Sequence, residues 1–589
     1  RGLVVNSGGT ADFTHVVLQY AGYGDVAAGQ ALGGALRLQD SQVNHNLAQG
    51  LYIEDSSPTL LNNAFEGNGQ EAVVVRFLNG VAAGMAFSGN TGRNNALNGI
   101  LLNASLGDNT LAANPDFPYV VEDMTIETGA TVTVEAGAVF KLGRTLLEQG
   151  TLVKVFGTLN TWGTAAEPVV FTSVNQTLYG GDTYPAGART PIAGDWRGIA
   201  VCDGGAADLE HTIIEYGGYS DPGQPGIAQL QVLTATATLD SVTVQEGLLH
   251  GIYAEDTSLV MRDSVVSANA GFGLRVHGKT RPIEPVIQNN VFNDNGTYGM
   301  YLILNGGGLG DGDISGNTGG GNGMVNGVYM EGHISDTTSY WATNPDFPWV
   351  IWTLYVDEGA KLTIAPGNVL KFINPPDGHD GVTFARGTGT ALITGTLEAI
   401  GTETEPIIFT SYWDDAAGGD TNGDYGGAEV LPGDWRGFIV RPGGRAVLSH
   451  TEFRWGGGTD GGDTKAVFVD GGQAIVSYSG IYSSSWTGVG GTGAITITDS
   501  VIQGNLGNGV QFGGLGSVQW STIVNNGGYG LANYYSPYSD YRALATNNYW
   551  GNSTGPAYDG LPCPFEPPAG LGSMINCPVE WAPYLASPP

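Results

Sequence analysis

Positively charged residues are scarce in this chain. Its 589 residues include 22 Lys and Arg against 56 Asp and Glu, which gives a formal net charge of −34 at pH 7. A large negative charge repels the phosphates of nucleic acids and the surfaces of anionic lipids, and it favours cations or neutral glycans as binding partners. We therefore expect no nucleic-acid partner.

Long apolar runs and cysteines are also rare. No stretch approaches the roughly 20 apolar residues that a membrane-spanning helix needs, so we expect no membrane span in this segment. The three cysteines, Cys202, Cys563 and Cys577, are too few for a scaffold built from disulfides. Cys563 and Cys577 are close enough in sequence to pair in an oxidising compartment, and the alternative is two unpaired, buried thiols.

Long helices are excluded by the glycine content. The chain has 96 Gly and 28 Pro, and each Gly inside a helix costs about 1 kcal/mol relative to Ala. The segments between the glycines are rich in Val, Ile, Thr and Tyr, which predicts many short strands joined by tight turns. We therefore expect an all-β protein.

What the sequence does contain is a long internal repeat. "GDWRGI" at 194–199 returns as "GDWRGF" at 433–438, and the chain begins with "RGLVV". The block "NPDFPYVVEDMTIETGATVTVEAGAVFKLG" from residue 114 is matched by "NPDFPWVIWTLYVDEGAKLTIAPGNVLKF" from residue 344. When the copies are aligned on the Arg of "RG", a histidine and an aromatic residue recur at fixed distances: His15, His211 and His450, then Tyr20, Tyr216 and Trp455.

These blocks predict tandem modules of about 230 to 240 residues. We assign a partial first module to 1–113, a second to 114–343, and a third to 344–589 with a C-terminal cap at about 546–589. The segment "NNYWGNSTGPAYDG" begins this cap and breaks the strand pattern, so it is suited to covering the open edge of a last coil.

A finer period lies within each module. Segments such as "LLNNAFEGNGQEAVVV", "MRDSVVSANAGFGLRV" and "ITDSVIQGNLGNGVQF" recur at intervals of about 20 to 26 residues. None has enough inward apolar side chains to fold alone, but parallel strands of stacked coils would share a core, with Asn and Gly at left-handed corners. The sequence predicts an elongated right-handed parallel β-helix, which is a solenoid.

The combination of "VTVEAGAVFKLG", "GTLEAIGTETEPIIFTS", "GDWRGF", "LSHTEFRWGGG" and "NNYWGNSTGP" resembles large secreted or cell-surface proteins of bacteria and archaea built from right-handed parallel β-helix repeats. The resemblance covers essentially the whole chain. It implies display at the cell surface, adhesion or envelope structure rather than an established reaction, because a fold does not fix a function.

The recurring GDWRG segment has two interpretations. Trp196 and Trp435, with Trp455, could stack on the rings of a glycan. Alternatively, Asp caps turn amides, Gly permits a tight bend and Trp covers an apolar edge. Repetition in every module favours the structural interpretation, because each stack of coils needs the same packing solution.

The repeated histidines and two lysines give no catalytic pattern. The acids nearest to His15, His211 and His450 differ from copy to copy, so we interpret these histidines as buried or half-buried structural residues. Lys141 and Lys371 follow apolar residues at coil ends, and we expect their stems to cover apolar surface while their charges stay in water. No catalytic residues are predicted.

The best candidate for a ligand site is "DDAAGGDTNGDYGG" at 414–427. Asp420, Asn422 and Asp424 place oxygen ligands at alternate positions around a glycine, as calcium loops do. Leu431 stands where an EF-hand would supply a bidentate Glu, so the match is partial. A single Ca²⁺ site and an acidic surface turn without a metal are both consistent with this pattern.

Four sequons, at Asn103, Asn175, Asn295 and Asn552, fit the N-x-Ser/Thr rule for glycosylation. Some sequons are expected by chance in a chain this rich in Asn, Ser and Thr.

The sequence as a whole predicts a non-enzymatic, extracellular or cell-surface protein that serves as a rigid spacer, filament component or adhesin. Its expected partners are other copies of itself, neighbouring surface proteins or glycans. The alternatives are a lyase or glycosidase that acts on polysaccharide from a β-helix, and a calcium-dependent glycan-binding module. No fixed carboxylate pair marks an enzyme in the sequence.

Overall fold

The structure is a computed structural model, and it consists of β-strands joined by short turns and a few long loops. It describes residues 2–24, 26–143, 150–185, 187, 189–219, 228–306, 308–310, 312–335, 338–344, 346–373, 386–458, 465–534, 543–558, 560, 568–576 and 578–589. These residues form 60 strands and no α-helix. The predicted fold class is confirmed: the protein is an all-β, right-handed parallel β-helix.

The chain folds into two compact units, Arg1–Val276 with Asn289–Thr297, and His277–Gln288 with Tyr298–Pro589. Unit 1 begins with the strands β1 (Leu3–Asn6), β2 (Thr10–Thr14), β3 (Val17–Gln19), β4 (Gly29–Leu32), β5 (Ala35–Gln39), β6 (Gln42–Asn44), β7 (Leu51–Glu54), β8 (Thr59–Leu61), β9 (Ala64–Glu66), β10 (Glu71–Arg76), β11 (Ala86–Ser88), β12 (Thr91–Arg93), β13 (Leu97–Leu106), β14 (Asn109–Leu111), β15 (Tyr119–Ile126), β16 (Thr131–Glu135), β17 (Val139–Leu142), β18 (Leu152–Val155), β19 (Thr158–Trp162), β20 (Val169–Ser173), β21 (Gly198–Val201), β22 (Ala206–Glu210), β23 (Thr212–Glu215), β24 (Ala228–Leu233), β25 (Thr236–Asp240), β26 (Thr243–Gln245), β27 (His250–Glu255), β28 (Val260–Arg262) and β29 (Val265–Ser267).

The chain then supplies short strands to both units, followed by the remaining strands of unit 2. The strands are β30 (Leu274–Gly278), β31 (Val286–Gln288), β32 (Val291–Asn293), β33 (Tyr298–Leu304), β34 (Asp313–Ser315), β35 (Thr318–Gly320), β36 (Val325–Ile334), β37 (Thr338–Trp341), β38 (Trp349–Val356), β39 (Lys361–Ile364), β40 (Val369–Phe372), β41 (Thr390–Ile393), β42 (Thr396–Ile400), β43 (Ile407–Ser411), β44 (Gly437–Val440), β45 (Arg445–Ser449), β46 (Thr451–Arg454), β47 (Lys465–Val469), β48 (Gln473–Ser477), β49 (Gly480–Tyr482), β50 (Thr487–Gly491), β51 (Ala494–Thr498), β52 (Val501–Gln503), β53 (Val510–Phe512), β54 (Gly516–Gln519), β55 (Thr522–Val524), β56 (Leu531–Asn533), β57 (Ala543–Leu544), β58 (Pro556–Tyr558), β59 (Gly572–Ile575) and β60 (Val579–Glu580).

Most coils contribute one strand to each of three faces, and neighbouring coils pair in parallel. The long strands β15 and β38 each span two faces, since β15 pairs with β17 and β18, and β38 pairs with β40 and β41. In unit 1, face one contains β2, β5, β8 and β11, face two contains β3, β6, β9 and β12, and face three contains β1, β4, β7 and β10. In unit 2, β42, β45 and β48 belong to face one, β43, β46 and β49 to face two, and β41, β44 and β47 to face three. The predicted module boundaries at residues 113 and 343 are not tested by these observations and stay predictions.

The core lies inside the coils because side chains alternate in and out along each strand. Rings stack from coil to coil, as in Phe140 on Phe171, whose centroids are 4.8 Å apart, and Phe409 on Phe453 at 4.6 Å. All four rings are at most 1% exposed. This stacking extends the apolar interior along the axis of each unit.

The corners between faces are held by left-handed residues, but they are not restricted to Asn and Gly as predicted. Asn62 and Gly67 are left-handed corners, and so are Asp40 (φ 47°) and His45 (φ 52°). A polar side chain that bonds locally tolerates this backbone region. Many of the asparagines that recur in the sequence lie one residue beyond a corner instead.

These recurring asparagines form buried ladders parallel to the coil axis. The Nδ2 atom of Asn68 donates to the Oδ1 atom of Asn95 at 2.7 Å and to the carbonyl of Val43 at 3.0 Å. Asn63 bonds to Asn90 in the same way at the neighbouring corner, with a distance of 3.0 Å. The ladders satisfy backbone groups that the turns leave without strand partners.

Candidate functional site

Each GDWRG segment closes a long loop and leads into a face-three strand, β21 in unit 1 and β44 in unit 2. The indoles of Trp196 and Trp435 are 0% exposed, and each Nε1 atom donates at 2.8 Å to a carbonyl, that of Glu215 or Arg454. A buried indole cannot stack on a sugar. The glycan-stacking hypothesis is therefore wrong for both tryptophans.

The aspartates of these segments cap the loops. The Oδ2 atom of Asp434 accepts hydrogen bonds from Ser411 Oγ at 2.8 Å and from the Leu431 amide at 3.0 Å. Its Oδ1 atom forms an ion pair with Arg386. In unit 1, Asp195 accepts from the Ile192 amide at 3.2 Å. The repeated hexapeptide therefore builds a buried loop closure.

Trp455 and the repeated histidines lie at left-handed corners on either side of a short face-two strand. The φ angle of Trp455 is 64°, and those of His15, His211 and His450 are 59°, 42° and 50°. Trp455, His211 and His450 are half-buried, whereas His15 is exposed. The spacing of these residues thus follows the spacing of corners, and glycan contact by Trp455 stays a prediction.

The two long loops that the GDWRG segments close are fastened to the coils by buried lysines. The Nζ atom of Lys141 donates to the carbonyl of Gln176 at 2.6 Å, and that of Lys371 donates to the carbonyl of Gly419 at 2.6 Å. Both lysines are 0% exposed. The expectation that their charges stay in water is wrong, because each loop folds over its lysine.

Equivalent asparagines hold the same loops from the other side. The Nδ2 atom of Asn98 donates to the carbonyl of Asp182 at 3.0 Å, and that of Asn326 donates to the carbonyl of Asp420 at 3.1 Å. In unit 2 the loop also covers Tyr412, which packs with Tyr329 and Val350 in an apolar cluster. The loop is therefore fixed at Gly419 and Asp420, within the acidic segment 415–424 that we call its tip.

Three carboxylates meet at this tip in unit 2. Oxygen atoms of Asp415, Asp420 and Asp424 all lie within 4.8 Å of one another, a spacing that one Ca²⁺ with ligand distances of about 2.3–2.6 Å can bridge. Sequence reasoning selected Asp420 and Asp424 but missed Asp415. Asp415 lies in the quoted segment, and only the folding of the loop brings it to the other two.

Asn422 lies in the turn that carries two of these carboxylates, and its coordination of a metal stays a prediction. Its Nδ2 atom donates to the Oδ2 atom of Asp424 at 2.8 Å, and its Oδ1 atom accepts the Asp424 amide at 3.2 Å. Asp420 accepts the Gly423 amide at 2.7 Å and the Tyr425 amide at 3.0 Å. Asn422 therefore shapes the turn that presents the two aspartates.

The electrostatics of the tip differ from one carboxylate to the next. Burial, followed by the charge of Asp420, raises the pKa of Asp415. Burial works in the same direction on Asp424, but hydrogen bonds from the amides of Gly427, Gly426 and Ala428 and from Asn422 lower its pKa. The Oδ1 atom of Asp415 accepts no hydrogen bond from the residues that the structure describes, so an acceptor oxygen is available for a cation.

The corresponding loop of unit 1 does not repeat this arrangement. Aligned on the shared "GGDT", the positions of Asp415, Asp420 and Asp424 are occupied by Thr177, Asp182 and Ala186. The cluster is thus specific to unit 2, as the sequence predicted for a single site.

The structure bears on the predicted glycosylation sites but not on the predicted disulfide. Cys563 and Cys577 lie outside the described residues, so their pairing stays a prediction. Asn295 is 1% exposed, and its Nδ2 atom donates to the carbonyl of Val266 at 3.0 Å within a ladder. The prediction of a glycan on Asn295 is therefore wrong for the folded chain.

The other three sequons are half-buried. The Nδ2 atom of Asn103 donates to Glu122 at 3.0 Å, and that of Asn175 donates to Asp195 at 3.1 Å. Asn552 uses its Oδ1 atom to accept the Thr554 amide at 3.0 Å. Glycosylation at these three sites stays a prediction.

Comparison with known proteins agrees with the fold. Residues 195–330 match a protein family described as a right-handed β-helix region. Together with the parallel coils of both units, this match defines a β-helix repeat protein. No curated protein matches the chain. The described residues contain no helix long and apolar enough to cross a membrane.

Proposed function

We propose that this chain is a non-enzymatic structural or adhesive protein of the bacterial or archaeal cell surface, in which β-helical coils serve as a rigid spacer. One observation carries the proposal: the residues that recur between modules are used for folding. Trp196 and Trp435 are buried, and Asp195 and Asp434 cap loops. Repetition in this chain is thus accounted for by architecture, and a recurring active site is not needed to explain it.

The strand ladders support a mechanical role. Parallel pairing continues from coil to coil, as from β42 to β45 to β48, and buried rings and asparagines stack beside it. Each coil shares hydrogen bonds with its neighbours, so the interfaces between adjacent coils contribute to the stability of the whole stack. The acidic surface keeps such a protein soluble and repels other polyanions.

Surface location is tested on intact cells of the source organism. Gold-labelled antibodies against this chain should bind at the cell envelope, and external protease should remove the label without lysing the cells. A cytoplasmic protein probed in parallel controls for leakage. Label confined to the cytoplasm would contradict the proposed function.

Calcium binding by the unit 2 loop is a second proposed property, supported by the approach of Asp415, Asp420 and Asp424. Titration of the full chain with CaCl₂ should release heat at one site, and Asp415→Asn should abolish that heat. Asp182→Asn in the unit 1 loop is the matched control and should leave the titration unchanged. Extracellular calcium modules bind with dissociation constants of about 10⁻⁴ to 10⁻³ M. The absence of heat at about 5 mM Ca²⁺, which exceeds this range, would therefore contradict calcium binding by the loop.

A further inference from the structure

A groove with a different lining from the acidic loop lies on unit 2. It occupies about 500 Å³ where face one turns into face two, and successive coils contribute its walls. This volume is typical of sites for small organic ligands. The side chains that give the groove its character are Glu403, His450, Glu452, Tyr478, Tyr482 and Asp499.

The floor of the groove depends on a glycine in β49. Glu452, Gly480 and Val501 occupy one register position on three successive strands of face two. Gly480 has no side chain there, and a β-carbon at this position would collide with the ring of Tyr482. The tyrosine ring therefore lies directly against the backbone of Gly480, between the side chains of the coils on either side.

The rim of the groove is formed by corner residues. His450, Tyr478 and Asp499 are left-handed, with φ angles of 50°, 51° and 49°. The rings of His450 and Tyr478 stack with centroids 5.0 Å apart and an interplanar angle of 14°. Tyr478 is nevertheless 58% exposed. An aromatic surface held in this way and open to solvent is available to a ligand.

The charged groups that line the groove are three carboxylates, which act as hydrogen-bond acceptors. Glu403 and Asp499 are exposed carboxylates, and Glu452 is half-buried and accepts from Arg454 Nε at 2.8 Å. The described residues that line the groove include no Lys or Arg. An anionic ligand would be repelled, whereas a ligand with many hydroxyl donors would find acceptors next to aromatic rings.

We propose that this groove binds a neutral oligosaccharide, whose apolar ring faces pack on Tyr478 and Tyr482 and whose hydroxyls donate to Glu452 and Asp499. The lining extends over coils that rise by about 4.8 Å each, so it suits a short chain of sugars rather than a single ring. This inference rests on the proposed function, because the neutral oligosaccharide would be the ligand to which the adhesive protein attaches.

The test is calorimetric titration of the full chain with cellotriose, maltotriose, mannotriose and chitotriose, and with tri-galacturonic acid as the anionic comparison. At least one neutral trisaccharide should bind, with tri-galacturonic acid weaker by about tenfold or more. Tyr478→Asn should weaken that binding by about tenfold, which corresponds to about 1.4 kcal/mol, because it removes the aromatic ring on which the sugar stacks. Asparagine is the chosen replacement because it tolerates a left-handed corner.

Tyr20→Asn is the matched control. Tyr20 is a left-handed corner residue of unit 1 with φ 55°, and its ring stacks on His45 as the ring of Tyr478 stacks on His450. Tyr20 is 75% exposed and does not line the groove. This variant should leave binding unchanged. Failure of all four neutral sugars to bind at about 10 mM, or equal losses in the Tyr478 and Tyr20 variants, would overturn the inference.

A third measurement separates this inference from the proposed function. Each trisaccharide that binds is incubated with the protein and analysed for shorter products. Cleavage would support the groove as a sugar site and contradict the non-enzymatic function, whereas binding without cleavage supports both. Absence of binding overturns the groove alone, because antibody labelling tests surface location independently.

Discussion

At the scale of the residue, recurrence in this chain follows from packing. Trp196 and Trp435 recur because each unit must close a long loop against its coils, and an indole fills the space beneath that closure while its N–H reaches a carbonyl. A site that binds one ligand need not be present in every module. The repeated residues therefore report on folding, and the features that occur once report on function.

Replacement of Trp435 by alanine should lower the free energy of unfolding by about 3–5 kcal/mol, because it leaves a cavity and removes the hydrogen bond to the Arg454 carbonyl. Chemical denaturation followed by circular dichroism measures the change. Trp352→Ala is the control, since this strand residue is 38% exposed. It should cost less than about 1 kcal/mol, and similar losses in both variants would contradict the role assigned to Trp435.

The buried lysines should make stability depend on alkaline pH. Burial lowers the pKa of Lys371 to about 8, although the charges of Asp415 and Asp414 act in the opposite direction. Between pH 8 and 10.5 the unfolded chain holds a proton that the folded chain has released. Stability should therefore rise with pH across this window, by up to about 3 kcal/mol for this residue.

Comparison of the wild type with Lys371→Met isolates this effect from other groups that titrate in the same range. The variant retains an apolar stem but cannot ionise, so its stability should rise less between pH 8 and 10.5. Lys361→Met is the control, because Lys361 is half-buried and paired with Glu398 at 2.8 Å. Parallel pH profiles for the wild type and Lys371→Met would refute the assignment.

At the scale of the element, the strands are too short to stand alone, and the corners hold them in register. Face-two strands such as β6 and β9 contain three residues each. On either side of them a left-handed residue turns the chain, and a buried Asn or Ser bonds to the next coil. The Asn and Ser ladders thus link the turns of successive coils by hydrogen bonds, as backbone hydrogen bonds link the strands.

Removal of a ladder residue should destabilise unit 1. Asn68→Ala leaves the carbonyl of Val43 without its donor and removes the Oδ1 atom that accepts from Asn46 at 2.8 Å. Buried polar groups that lose their partners cost about 1–3 kcal/mol each, so we expect a loss of about 2–4 kcal/mol in urea unfolding.

Asn62→Gly is the comparison for the ladder variant, because Asn62 is a left-handed corner residue whose side chain bonds to Asp40 in an exposed contact. Glycine tolerates this backbone, and the change should remain within about 0.5 kcal/mol. Equal stability of Asn68→Ala and Asn62→Gly would show that the asparagine stack contributes little to the free energy of unfolding.

At the scale of the whole molecule, charge is the dominant feature. A net charge of −34 means that carboxylates repel one another in the folded chain, and salt screens this repulsion over a Debye length of about 10 Å at 0.1 M. The few ion pairs of the described residues, such as Arg441 with Asp470, do not offset it.

The melting temperature of the full chain should therefore rise by several degrees when NaCl is increased from about 0.01 M to about 0.3 M. Differential scanning fluorimetry measures it, and sucrose at equal osmolarity separates screening from exclusion of solute. A melting temperature that falls with salt would show that attractive ion pairs outweigh the repulsion. Calcium in a chloride-matched series should add a further increase if the unit 2 loop binds it.

The sequence alone was sufficient for the fold, because the architecture is periodic and local. Recurring polar, apolar, Asn and Gly segments indicate coils directly, since each coil buries its side chains against the next one. The recurrence of the GDWRG segment in both units also predicted its structural role correctly. Periodicity could not show which corner residues adopt left-handed geometry, and Asp40 and His45 were accordingly not expected there.

Only the tertiary structure decided which side chains meet. Asp415 joins Asp420 and Asp424 because the loop folds back over Lys371, and the charge of that lysine is buried for the same reason. The groove at Tyr478 unites residues from the turn before β43 to β52, which lie on successive coils, and it depends on a missing side chain at Gly480. The sequence by itself determined the repeating coil, whose contacts are periodic, whereas burial and clustering in loops depend on long-range contacts that occur once.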